Sequence, residues 1–76
     1  MKRDMDLIRE LLLLIETDPK FDGTTEFCFN TPEEMGITNH STEEVAYHLA
    51  QLIEAGFVKG AVTMVCPMQI IRGLTW

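Results

Sequence analysis

Residues 41–60, STEEVAYHLAQLIEAGFVKG, carry the strongest local signal in the chain. Ser41, Thr42, Glu43 and Glu44 fit a capping box, in which the Ser41 hydroxyl takes the third backbone amide and Glu44 reaches back to the cap. Val45, Leu49, Leu52 and Ile53 then recur at helical spacing, so one stripe faces a core. The spacing predicts a helix from Ser41 to Ala55, closed by Gly56 in a left-handed cap. Its opposite face carries Glu43, Tyr47, Ala50, Gln51 and Glu54, with His48 at the margin.

After Gly56, the stretches 57–64 and 68–74 are rich in β-branched residues and flank Val65-Cys66-Pro67, which reads as a hairpin with the turn there. Met64 and Met68, beside that turn, are expected to be exposed. Upstream, Thr31-Pro32-Glu33-Glu34 has a cap residue, proline at the first helical position and acids in the first turn, a short helix that Gly36 ends. Glu26-Phe27-Cys28-Phe29 reads as a short strand with its aromatics on one face.

The first helix spans about Asp4 to Glu16, with Asp4 and Asp6 favouring the positive end of its dipole and Thr17-Asp18-Pro19 stopping it. With Ile8 as the centre of the buried stripe, Leu11, Leu12 and Ile15 lie within about 60° of it. Leu7 and Leu14 fall on a flank, and Leu13 falls among Asp6, Arg9 and Glu10. That much apolar surface fits either a wide core contact or a second, intermolecular interface through Leu7, Leu13 and Leu14.

The order helix, strand, short helix, longer helix, hairpin is that of an α+β winged helix, and residues 1–76 read as one domain. The opening MKRDMDLIRELLLLIE, the middle EEVAYHLAQLIEAGFVKG and the closing IRGLTW resemble an uncharacterised winged-helix family of phages and prophages. Members of that family usually continue past a Thr-Trp pair into a C-terminal helix, whereas this sequence stops at Trp76. The resemblance therefore implies an uncovered patch on the first helix and favours the interface reading of Leu7, Leu13 and Leu14.

Charge bears most directly on function. The 76 residues carry 12 acids and 6 bases, a net charge of −6. Residues 21–56 hold Asp22, Glu26, Glu33, Glu34, Glu43, Glu44 and Glu54 with no Lys or Arg. In a helix-turn-helix the second helix enters the major groove, where Tyr47, His48 and Gln51 would meet the bases. Phosphate anchoring is the missing part, since only Lys2, Arg3, Arg9, Lys20, Lys59 and Arg72 remain for a backbone. DNA binding as a transcriptional regulator is thus disfavoured by charge, despite the fold.

The same acids suit a protein partner. An acidic face fits the basic groove of a nucleic-acid-handling or defence complex, with Glu33, Glu34, Glu43, Glu44 and Glu54 as contacts and Tyr47 as an aromatic anchor. In size and charge the chain is similar to phage-encoded inhibitors of host defence, including anti-CRISPR proteins. The expected function is non-enzymatic inhibition by protein binding, with a homodimer as a further option.

No catalytic or cofactor motif stands out. Gly56 and Gly60 flank a hairpin strand, Gly73 is isolated, and Ser41 has a structural use as a cap. His40, His48, Cys28 and Cys66 lack any C-x-x-C or H-x-x-x-H spacing, so no metal and no cofactor is expected. Cys28 reads as a small apolar strand residue. The longest apolar run, Leu11 to Ile15, is far short of the roughly 20 residues that span a bilayer, and the N-terminus lacks a signal peptide's apolar core. A cytoplasmic protein with both cysteines reduced is the expectation.

Overall fold

The computed structural model describes residues 4–75. Among them are helices α1 (Met5–Thr17), α2 (Pro32–Met35) and α3 (Thr42–Glu54), and strands β1 (Phe27–Cys28), β2 (Val58–Ala61) and β3 (Ile70–Leu74). The strands form one antiparallel sheet in the order β1-β3-β2, so the chain is a mixed α+β protein.

Each helix begins and ends where local chemistry dictates. Asp4 caps α1 by accepting from the amides of Asp6 and Leu7 at 3.0 and 3.1 Å, which satisfies two of the donors a helix start leaves free. Pro32 opens α2, and the Glu34 carboxylate accepts from the Asn30 amide at 2.8 Å while Thr31 makes no side-chain cap. Ser41 Oγ accepts from the Glu44 amide at 3.1 Å. The other half of the expected capping box does not form, because the Glu44 carboxylate is drawn to the His40 ring instead. Gly36 and Gly56 close α2 and α3 at φ of 89° and 85°, a conformation that costs glycine nothing.

The core is built from Leu7, Leu11 and Ile15 of α1, Val45, Leu49 and Leu52 of α3, and residues of the sheet and loops such as Ile37, Met68 and Ile71. The buried stripe of α1 is therefore centred on Leu11, not Ile8, and Ile8 and Leu12 are half-buried at its edge. This rotation corrects two expected interface positions. Leu7 is 0 % exposed and belongs to the core, and Leu14 is half-buried against it. Leu13 does face outward, at 52 % exposure. On α3, Val45, Leu49 and Leu52 are buried as the spacing predicts and Ile53 is half-buried.

The sheet joins residues far apart in sequence. Phe27 and Cys28 pair with Ile71 and Ile70, and β2 pairs along the other edge of β3. Between the Lys59–Gly73 and Gly60–Ile71 pairs, Arg72 is bulged out of the β2 register. Its carbonyl accepts from the Gly23 amide at 2.9 Å, and its guanidinium meets Glu26 at 2.9 Å, so the bulge ties the 21–26 loop to the sheet. Gly60 is required at this point, because a Cβ there would lie 2.0 Å from the Ile70 carbonyl oxygen.

Residues 62–69 double back between β2 and β3. Met68 is 0 % exposed, contrary to the expectation of a solvent-facing turn, while Met64 is fully exposed as expected. Cys66 is buried and forms a disulfide with Cys28, with the Cα atoms 5.6 Å apart. This overturns the reading of both cysteines as reduced. The register explains the pairing: Cys28 lies opposite Ile70, and the turn at Gln69, whose φ is 71°, brings Cys66 back over β1.

Candidate binding surface

Helices α2 and α3 hold most of the residues that the sequence singles out. Glu33, Glu34, Glu43 and Glu54 are exposed. Glu44 is half-buried, with its carboxylate 2.8 Å from His40 Nδ1. Tyr47 is half-buried, and its hydroxyl accepts from Gln51 Nε2 at 3.0 Å. The other end of that amide, Gln51 Oε1, is buried without a partner beside a groove lined by Met5, Ile8 and Phe57. Gln51 therefore leans toward α1 instead of standing free on the outer face.

His48 was expected at the margin of this face and is instead in the core, at 0 % exposure. Its Nε2 accepts from the Asp4 amide at 2.8 Å, which fixes the ring as the Nδ1–H tautomer, and Nδ1 donates to the Glu44 carbonyl at 2.7 Å. The ring thus binds the N-terminus of α1 to α3. Helical spacing places His48 beside the core stripe, but nothing local announces the α1 amide that draws it inward.

Three of the four bases among the described residues have an acidic neighbour, each in a solvent-exposed pair. Arg9 pairs with Asp6, Lys20 with Asp18, and Arg72 with Glu26. Lys20 Nζ also sits 5.2–6.0 Å from the ring centroids of Phe21, Phe27 and Phe29, a cluster whose attraction for a cation holds it over β1. Lys59 is exposed, while Lys2 and Arg3 lie outside the described residues. Beside Lys59, Asp22 accepts from the Thr24 and Thr25 amides and the Thr24 hydroxyl, and these hydrogen bonds hold its carboxyl below the ordinary value of 3.8.

The four side chains weighed as zinc ligands do not assemble, since Cys28 and Cys66 are bonded to each other and both His48 nitrogens are engaged. A different group does converge. Asp4, His40 and Glu44 place one ligand atom each within 4.8 Å of one another, half-buried where α1 and α3 begin. One imidazole and two carboxylates could hold a first-row divalent ion with open positions, whereas the direct His40–Glu44 contact already satisfies two of the three. Sequence spacing could not find this group, because Asp4 is distant from the other two along the chain.

Among the described residues no helix is long and apolar enough to cross a membrane. No curated protein and no solved structure is detectably similar to the chain. Residues 2–76, by contrast, match the family described as Hypothetical protein (DUF2513), so the chain belongs to that family of unknown function.

Proposed function

We propose that this protein is a winged-helix, non-enzymatic binding module of phage or prophage type, whose exposed acids on α3, with those of α2, dock onto a basic, nucleic-acid-handling host complex and inhibit it. The observation that carries the reading is the placement of those acids. On α3, Glu43 and Glu54 are exposed eleven residues apart, about three turns and so on one side of the helix, with no Lys or Arg from residue 21 to 56, and Tyr47 supplies an aromatic body beside them. Such a face is dominated by acceptors, and its complement is a surface of Lys and Arg side chains. A phosphate backbone is itself an acceptor and is repelled. The element order and the β1-β3-β2 sheet support the winged-helix assignment, in which α3 takes the place of the recognition helix.

Direct DNA recognition is the weaker reading on the same facts. Of the three base-reading candidates, His48 is in the core, and Gln51 and Tyr47 are half-buried and bonded to each other. Inhibition of a host complex implies action in the cytoplasm, whereas the Cys28–Cys66 bond is of a kind that persists in oxidising compartments.

The decisive experiment uses tagged wild-type chain and the Glu43→Lys/Glu54→Lys variant, with the captured partner identified and then titrated directly. A nucleic-acid-binding partner that loses about tenfold or more in affinity on charge reversal supports the proposal. Micromolar binding of wild type to duplex DNA at low salt, or an unchanged partner affinity in the variant, refutes it.

A further inference from the structure

Among the described residues, nothing fully covers one side of α1. Ile8 and Leu12 are half-buried at the core's edge, Met5 and Leu13 are 60 % and 52 % exposed, and the four line one groove with Arg9 and Glu16. The groove follows the helix for about 17 Å, from Met5 to Glu16. Bases and acids are not scattered along it. Arg9 lies about one turn before Leu12 and Leu13, and Glu16 about one turn after them.

We infer that this face pairs with the same face of a second copy of the chain, antiparallel, about a two-fold axis that passes between Leu12 and Leu13. In a two-fold, antiparallel helix pair, facing residues lie symmetrically about the axis. The midpoint of positions 9 and 16 falls between 12 and 13, so Arg9 of each copy meets Glu16 of the other, and the leucines close the centre. The ion pair forms twice. A parallel pairing would set Arg9 against Arg9 and Glu16 against Glu16, and an arbitrary apolar partner would have no use for opposite charges balanced about two leucines. The contact between Arg9 and Asp6 does not compete strongly, because it spans 3.6 Å between side chains that are 72 % and 92 % exposed. The surface is small, so the dimer is held in the micromolar range.

The test is sedimentation velocity of the full chain from about 5 to 500 µM, a range that brackets a small interface. Wild type is compared with Arg9→Glu, Glu16→Arg, the double exchange Arg9→Glu/Glu16→Arg, and Leu13→Glu. All three positions changed are at the surface, and circular dichroism melts confirm that each variant folds. Wild type forms a concentration-dependent dimer. Each single reversal weakens it by about tenfold or more, since two like-charge contacts replace two ion pairs, and the double exchange restores it to within about threefold of wild type. Leu13→Glu abolishes it. A wild type that stays monomeric at the top of the range overturns the inference, as does a double exchange no tighter than the single reversals.

Discussion

Replacing His48 separates its role in the core from any role at the surface. The ring is fully buried, takes the Asp4 amide at 2.8 Å and gives its Nδ1–H to the Glu44 carbonyl at 2.7 Å. His48→Ala removes a buried ring, worth about 2–3 kcal/mol as a partly collapsed cavity, and strips the Asp4 amide of its acceptor, worth about 1 kcal/mol more. The sum is about 3–4 kcal/mol. A chain of this length has about 4–11 kcal/mol in all, and its unfolding entropy near 60 °C is about 0.16 kcal/mol per kelvin. The melting temperature should therefore fall by about 20 °C. His48→Leu refills most of the volume without the hydrogen bonds, so it should cost about 1–2 kcal/mol and about 6–12 °C. Thermal and urea unfolding followed by circular dichroism, under non-reducing conditions, gives both numbers. A His48→Ala melting temperature within about 3 °C of wild type would refute the reasoning, because a shift that small is the signature of a solvated side chain.

Reduction of the Cys28–Cys66 bond opens a cross-link of sequence separation 38, which in the chain-entropy account is worth about 4 kcal/mol. Melts with and without a reductant should differ by about 15–25 °C, and the Cys28→Ser/Cys66→Ser chain should match the reduced wild type; a difference under about 5 °C would show that the cross-link does not constrain the unfolded chain as supposed. Gly60→Ala drives a methyl into the Ile70 carbonyl, so it should cost about 1–3 kcal/mol and loosen the β2–β3 pairing, seen as faster amide exchange at Val58 and Ala61; unchanged exchange would argue against the close approach. The Asp22 carboxyl, held down by the Thr24 and Thr25 amides, is stabilising above the ordinary aspartate range, and that contribution is lost as pH falls through the lowered value. Acid unfolding of Asp22→Asn should consequently be less steep below about pH 4 than that of wild type, and superimposable curves would remove Asp22 from the acid limb.

Element starts and stops were legible because they are local. Thr31-Pro32, Ser41, Gly36 and Gly56 each act within a turn of their own position, and the helices begin and end beside them. The phase of α1 was not legible. Leu11, Leu12, Leu13 and Leu14 cover every side of a helix, so periodicity alone could not choose a centre, and the sheet against which Leu11 packs decided it. Choosing Ile8 instead turned the stripe by about 60°, enough to misplace Leu7 while still leaving Leu13 outside. The Cys28–Cys66 bond and the burial of Met68 depend on how residues 62–69 fold back across β1, and no residue in that loop signals the path.

His48 shows how such a non-local contact reaches the functional reading. As a surface residue it would have given the outer side of α3 a second nitrogen group to set against bases, next to Gln51. Instead the unsatisfied amide at the start of α1 captures the ring, from a position 44 residues away. Gln51 bonds to Tyr47 with one end of its amide and buries the other, which takes a second polar reader off the surface. What remains outward on α3 is Glu43, Glu54 and the exposed part of Tyr47, with Glu44 turned aside to His40. The His48 bond to α1 and the Gln51–Tyr47 bond within α3 together engage the helix's uncharged hydrogen-bonding groups, which leaves its outer side acidic in character. Under the proposed reading, the partner supplies positive charge and a recess for Tyr47, which a protein surface offers and a nucleic-acid duplex does not.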